Sequence, residues 1–160
     1  MIFNSIYNML DDYDYDYMNE DLTPFLEAVY KGNLDEMKNL VLKDVDIDDY
    51  AMCIACGKGF LEIVKYLVSL GLDIQVCDNN PVIQASLYGH LHIIKYLVSL
   101  GADIKAQDNE ALIWASRNGH LHVVEYLVSN GADVKAQDNR ALVFTNTQKS
   151  LNFLADELQK

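Results

Sequence analysis

The stretch Asn79–Asp108, NNPVIQASLYGHLHIIKYLVSLGADIKAQD, decides the fold because the chain repeats it immediately. The next copy, Asn109–Asp138, reads NEALIWASRNGHLHVVEYLVSNGADVKAQD and aligns with it without a gap at a period of 30. Asp49–Asp78 keeps the same register, and an earlier copy aligns at an offset of 27. Periods of 20 to 50 residues are typical of solenoids, in which each unit buries its apolar face against its neighbours.

The repeats divide the chain into an acidic, tyrosine-rich leader and a repeat domain. We place the leader at residues 1–21, with a short apolar stripe at its start that could form a cap helix, and the repeat domain at 22–160. The predicted units are about 22–49, 50–79, 80–109, 110–139 and a partial capping unit, 140–160.

Composition and charge predict a folded protein and limit its partners. A 51% apolar composition suffices for a packed core, and the net charge of −12 disfavours nucleic acid and anionic membranes, which require clustered Lys and Arg. No apolar run approaches the roughly 20 residues of a membrane span. Three cysteines without a secretory signal predict reduced thiols and an intracellular location, in the cytoplasm or nucleus.

Within each unit the apolar spacing is helical. Leu91, Ile94, Leu97 and Val98 follow the i, i+3, i+6, i+7 stripe of an amphipathic second helix. The shorter first helix is rich in small residues, which let neighbouring helices approach closely. Thr23 and Asn80 precede prolines and are predicted N-caps. Gly71, Gly101 and Gly131 are predicted to end second helices at positive φ.

These residues resemble the ankyrin repeat. Thr-Pro-x-x-x-Ala at Thr23–Ala28 and Gly-His-Leu-x-Val-Val-x-x-Leu-Val-x-x-Gly-Ala-Asp-Val at Gly119–Val134 carry the likeness. The resemblance implies an all-α solenoid of stacked helix-turn-helix units. Because the family's unit is normally 33 residues, we expect short turns in place of full β-hairpin fingers. The clipped units also resemble those of giant DNA viruses of amoebae.

The family's usual histidine is replaced at the slots of Ile83, Ile113, Cys53 and Val143, so its hydrogen bond between units is expected to be absent. The chain's own four histidines, His90, His92, His120 and His122, recur with the repeat and are interpreted as structural. Zinc ligands must converge to about 2.0–2.1 Å from the metal, and residues two apart on a helix diverge. A metal site on these histidines remains the less favoured alternative.

Cys53 and Cys56 form a Cys-x-x-Cys spacing inside a first helix. In other contexts this spacing indicates a redox or zinc site. Here the two cysteines occupy the slots of Ile83 and Ser86 and are interpreted as small packing residues. No phosphate loop or nucleophile with its base breaks the repeat, so we expect neither an enzyme nor a cofactor.

Differences between the copies indicate a recognition surface. The second helices of the third and fourth units are nearly the same, whereas the ends of their first helices change in chemistry. In ankyrin-like solenoids this end and the turn line the concave face. We name nine residues the first-helix row: Tyr30, Lys31, Lys58, Leu87, Tyr88, Arg117, Asn118, Thr147 and Gln148. The turns are predicted to contribute Asn79, Asn109, Glu110 and Arg140.

The sequence therefore predicts a monomeric, non-catalytic module that binds a protein partner, basic or neutral by charge. In a viral setting the partner would be a protein of the host cell. A solvated face that drifts freely would show the same variation, so a vestigial or purely structural array without a fixed partner is the main alternative.

Overall fold

The computed structural model describes residues 23–159, and the side chains of residues 77–79 lie outside that description. The predicted leader and its cap helix therefore lie outside the described residues as well. The described part folds as ten α-helices with no β-strand. In chain order they are α1 (Pro24–Tyr30), α2 (Leu34–Leu42), α3 (Tyr50–Lys58), α4 (Leu61–Ser69), α5 (Val76–Leu87), α6 (Leu91–Ser99), α7 (Ala106–Arg117), α8 (Leu121–Ser129), α9 (Ala136–Val143) and α10 (Gln148–Leu158).

The helices pair into units that stack in chain order. The first helices α1, α3, α5, α7 and α9 pack one against the next, and each also packs against the second helix of its own unit. The principal helix contacts join the same unit or adjacent units. The chain is therefore an all-α solenoid, as the repeat period predicted.

The apolar stripe of each second helix faces the interior of the stack. In α6, Ile94 and Leu97 are fully buried, whereas Leu91 and Val98 are half-buried beside the core. Burying such a side chain contributes roughly 1.5–3 kcal/mol, which a unit obtains only when a neighbour covers its face. The first helices bury their small residues Ala85, Ser86, Ala115 and Ser116 completely, so the predicted close approach is confirmed.

One of the two predicted N-caps is wrong. The Thr23 side chain caps α1 by accepting a hydrogen bond of 3.3 Å from the Leu26 amide. Asn80 instead lies inside α5, which begins at Val76, and Pro81 is interior to the same helix. The side-chain oxygen of Asn80 accepts a hydrogen bond of 3.1 Å from the Gln84 side-chain amide, one turn later in the same helix.

A short left-handed turn replaces the hairpin finger between units. Gly101 takes φ 97° as predicted, and the Asp103 carboxylate then accepts from the Lys105 amide at 2.8 Å. Three successive residues, 107–109, follow with φ between 51° and 66° before the right-handed part of α7. Residues 137–139 repeat this conformation.

Left-handed backbone costs about 1–2 kcal/mol for each residue other than glycine, and contacts between units offset this cost. The Asn109 side-chain oxygen accepts from the Asp133 amide at 2.8 Å. The Gln137 side-chain amide donates to the Asp108 carbonyl at 3.1 Å. The turn at residues 107–109 is therefore held by the turn of the unit that follows.

Candidate protein-binding surface

The first four units place their members of the first-helix row at the carboxyl ends of their first helices. Tyr30, Lys58, Leu87 and Arg117 are the last residues of α1, α3, α5 and α7. Lys31, Tyr88 and Asn118 follow directly as C-cap residues. Since these helices stack side by side, the row crosses the solenoid from unit to unit.

The fifth unit departs from this arrangement. Helix α9 ends at Val143, four residues before the expected slot, so Thr147 and Gln148 lie at the start of α10. Thr147 is the N-cap of α10, and its hydroxyl oxygen accepts from the Ser150 amide at 3.2 Å. These two residues therefore belong to a different local structure from the other seven.

Lys58 and Tyr30 connect the first two units across the row. The Lys58 ammonium nitrogen lies 3.8 Å from the centre of the Tyr30 ring. This is a cation–π contact, which holds the cation in place and leaves its formal charge intact. Lys31 is an exposed neighbour whose ammonium group pairs with Glu27 one turn earlier on α1.

Arg117 and Trp114 form a second cation–π pair in the fourth unit. The Arg117 guanidinium carbon lies 5.0 Å from the centre of the Trp114 ring, and Trp114 is buried. The Asn118 side-chain amide donates to the Trp114 carbonyl at 3.0 Å. Trp114 thus supports the row from beneath.

Tyr88 is the most prominent aromatic residue of the row. Its side chain is 43% exposed although it is large and mostly apolar. The Tyr88 ring lies 6.5 Å from that of His90, and the two rings are close to parallel. Tyrosine and arginine are frequent high-energy contacts in protein interfaces, so Tyr88 and Arg117 are the strongest candidates for binding.

The predicted turn residues contribute less to this surface. Asn109 is only 7% exposed and holds the Asp133 amide, so its side chain serves the stack itself. Glu110 faces Arg140 across a 3.7 Å ion pair, and the Arg140 guanidinium also lies over the Phe144 ring. The side chain of Asn79 lies outside the described residues.

The four histidines connect consecutive units through hydrogen bonds to backbone carbonyls 33 residues earlier. The Nε2 atoms of His90 and His120 lie 3.0 Å from the carbonyls of Gly57 and Leu87. Those of His92 and His122 lie 3.4 and 3.1 Å from the carbonyls of Gly59 and Gly89. The sequence did not predict these bonds, although each histidine recurs at a fixed distance from its partner.

A glycine of the preceding unit leaves space for the imidazole rings of His90 and His120. A Cβ atom on Gly59 would lie 2.8 Å from His90 Cε1, and one on Gly89 would lie 2.6 Å from His120 Nδ1. The equivalent glycines of the first and fourth units have other neighbours: Gly32 lies against the Phe60 ring, and Gly119 lies against Asn146 and Thr147. Burial lowers the pKa of His90, against the opposing effect of its bond to Gly57.

The geometry does not favour the metal and redox alternatives. Each histidine directs Nε2 toward a carbonyl, and no group of three potential ligand side chains occurs in the described part of the chain. Cys53 and Cys56 are fully buried, and burial raises the pKa of Cys56 well above its ordinary value. A protonated, enclosed thiol is a poor nucleophile and a poor ligand.

None of the helices in residues 23–159 has the length and apolar character that crossing a membrane requires.

The comparisons with known proteins identify the family. The family model described as ankyrin repeats (3 copies) matches two overlapping ranges, residues 25–108 and 70–138. No curated protein matched the sequence. The matched ranges extend over most of the chain and coincide with the helix pairs and their short turns. The chain therefore belongs to the ankyrin repeat family.

Proposed function

We propose that this chain binds a protein partner through the first-helix row and catalyses no reaction. Ankyrin repeats are generally protein-interaction modules, and the row is where the otherwise similar units differ most in chemistry. The resemblance of the clipped repeat to those of giant-virus proteins favours a host protein as the partner, inside the host cell. The module acts as a monomer in this proposal.

The observation that carries the proposal is the combination of exposed and supported side chains along the row. Tyr88 is 43% exposed at the C-cap of α5, and Arg117 is held over the Trp114 ring. Side chains that are already positioned lose less conformational entropy on binding. Aromatic and arginine anchors of this kind contribute most of the binding energy in many interfaces.

The recurring serines support a scaffold role. The Ser69 hydroxyl donates to the Tyr66 carbonyl at 2.6 Å, and the Ser99 hydroxyl donates to the Tyr96 carbonyl at 2.7 Å. A catalytic serine would require a neighbouring base, whereas these hydroxyls bond to their own helices.

The test compares two double variants of the full chain in capture from host-cell lysate. Tyr88→Ala with Arg117→Ala removes one aromatic and one cationic residue of the row. Lys95→Ala with Leu100→Ala removes one cationic residue of α6 and the apolar residue at its C-cap, and Leu100 is similarly exposed at 44%. We expect the row variant to lose a specific protein, with affinity reduced about tenfold or more, and the α6 variant to retain it.

Equal recovery of every captured protein by the wild type and the row variant would favour the vestigial array. Native mass spectrometry addresses the metal alternative, because a bound ion would add its mass to the intact chain. His92→Ala with His122→Ala would remove that added mass only if the exposed imidazoles were ligands.

A further inference from the structure

The row carries a charge opposite to that of the whole chain. Its ionisable cations are Lys31, Lys58 and Arg117, and none of its nine residues is acidic, although the chain has a net charge of −12. Two nearby carboxylates are already paired, Glu27 with Lys31 and Glu110 with Arg140. The row is therefore a cationic and aromatic strip on an acidic protein.

The leader has the complementary composition. Residues 11–21 read DDYDYDYMNED and contain six carboxylates, whereas residues 1–22 contain no Lys or Arg. Half of the chain's net charge therefore comes from this short segment. Its Asp and Tyr residues alternate from Asp12 to Tyr17, so an extended backbone would direct the acids to one side and the rings to the other.

The segment is long enough to reach along the row. Its attachment point, Thr23, precedes α1, whose seven residues extend about 10 Å to Tyr30. Arg117 lies three units further, about 24–30 Å away across the stacked helices at the usual helix spacing of 8–10 Å. Since this direction is roughly perpendicular to α1, the straight line from Thr23 to Arg117 is about 26–32 Å. Eleven extended residues cover about 36 Å, which brings Asp12 within reach of Arg117.

We infer that the first-helix row binds an acidic, tyrosine-containing segment, and that residues 11–21 of the same chain occupy it when no partner is bound. The carboxylates pair with Lys58 and Arg117, and the tyrosine rings extend the aromatic surface of Tyr30 and Tyr88. An external partner then displaces the leader. The inference takes the position of the row from the proposed function.

Energy transfer from Trp114 tests this inference in the full chain. Trp114 is the only tryptophan and lies beneath the row. A Tyr15→Cys variant with Cys77→Ser accepts a fluorescent acceptor in the leader, because the remaining cysteines, Cys53 and Cys56, are buried. We expect efficient transfer at low salt and loss of most of it at 1 M salt, where the Debye length falls to about 3 Å.

Charge reversal identifies the surface that the leader contacts. Lys58→Glu with Arg117→Glu should reduce transfer about twofold or more, and adding Asp12→Lys, Asp14→Lys and Asp16→Lys should restore it. Lys65→Glu with Lys95→Glu makes the same charge change on second helices and should leave transfer high. Each variant needs a donor-only sample, since replacing Arg117 alters the surroundings of Trp114, and a circular dichroism melt to confirm folding.

Two outcomes would overturn the inference. Transfer that is the same in the row and second-helix variants would show that the leader does not lie on the row. Transfer that disappears on dilution would show that a second copy supplies the acidic segment. Both measurements are made without a partner, so either failure leaves the lysate comparison to decide the proposed function.

Discussion

Two sets of glycines share a backbone conformation in this protein but have different neighbours. Gly59 and Gly89, between the two helices of a unit, have φ of 82° and 77°, and Gly71 and Gly101, at the end of a unit, have φ of 89° and 97°. A Cβ atom on either of the first pair would collide with a histidine ring, whereas Gly71 and Gly101 have open space around them. The first pair therefore serves stacking between units, and the second pair serves only the turn.

Replacing one glycine from each set gives the largest expected difference. Gly101→Ala should cost about 1 kcal/mol of unfolding free energy, since its effect is confined to the left-handed backbone. Gly89→Ala should cost about 3 kcal/mol, because the new methyl group also displaces the His120 ring. Urea titration followed by circular dichroism measures both. Equal losses would mean that the imidazole moves aside without penalty.

Substitutions of the histidine test the other side of the same contact. His120→Ala should cost about 1–2 kcal/mol, because the Leu87 carbonyl loses a partly buried hydrogen bond and the ring leaves a cavity. His122→Ala should cost less than about 0.5 kcal/mol because its bond to Gly89 is exposed.

His120→Phe keeps an aromatic ring but removes the hydrogen bond, so it separates packing from hydrogen bonding. A phenylalanine fits this position, since Phe60 already packs against Gly32, the equivalent glycine of the first unit. This variant should lie between His120→Ala and the wild type in the same titration. A phenylalanine as stable as histidine would show that the hydrogen bond contributes nothing measurable.

The dependence of stability on pH gives the smallest effect. Burial lowers the pKa of His90 in the folded state, whereas a histidine in the unfolded chain has a pKa of about 6.5. As the pH falls below about 6.5, the unfolded chain therefore binds more protons at this position than the folded chain does. The contribution of His90 to stability is therefore present above pH 6.5 and is lost as the pH falls from there through the lower folded pKa.

We expect His90→Phe to reduce the drop in urea midpoint between pH 7.5 and pH 5.5. The exposed His92, replaced by phenylalanine, provides the matched control. A drop that is unchanged in the His90 variant would assign the acid sensitivity to other groups.

Much of the solenoid could be predicted from the repeat because local and neighbouring requirements recur in every unit. The stripe at Leu91, Ile94 and Leu97, the small residues of the first helices and the positive φ of Gly101 follow from spacing and residue type alone. The sequence gives a partial indication of the contact between Gly89 and His120, because a glycine directly precedes both His90 and His120. The sequence does not show, however, that the glycine and histidine in contact belong to different units.

The candidate surface was less predictable. Repeat alignment placed Thr147 and Gln148 in the same slots as Arg117 and Asn118, but α9 ends early and α10 takes both residues. The sequence predicted that Asn109 contributes to the binding surface from an exposed turn, but its side chain is buried against the following unit. The contacts of Lys58 with Tyr30 and of Arg117 with Trp114 depend on side-chain positions that alignment does not give.

By itself the sequence determined the period, the helical character of both segments in each unit and the positions of most breaks. These properties depend on backbone conformation and on apolar spacing within about ten residues. Only the tertiary structure decided which glycines receive a ring, which polar side chains hold the turns and which cations lie on aromatic faces. Most of these contacts join residues of neighbouring units, as Lys58 with Tyr30 and Gly89 with His120 do, and they become defined only when one unit packs on the next. The Arg117–Trp114 contact lies within one helix and depends on side-chain conformation instead.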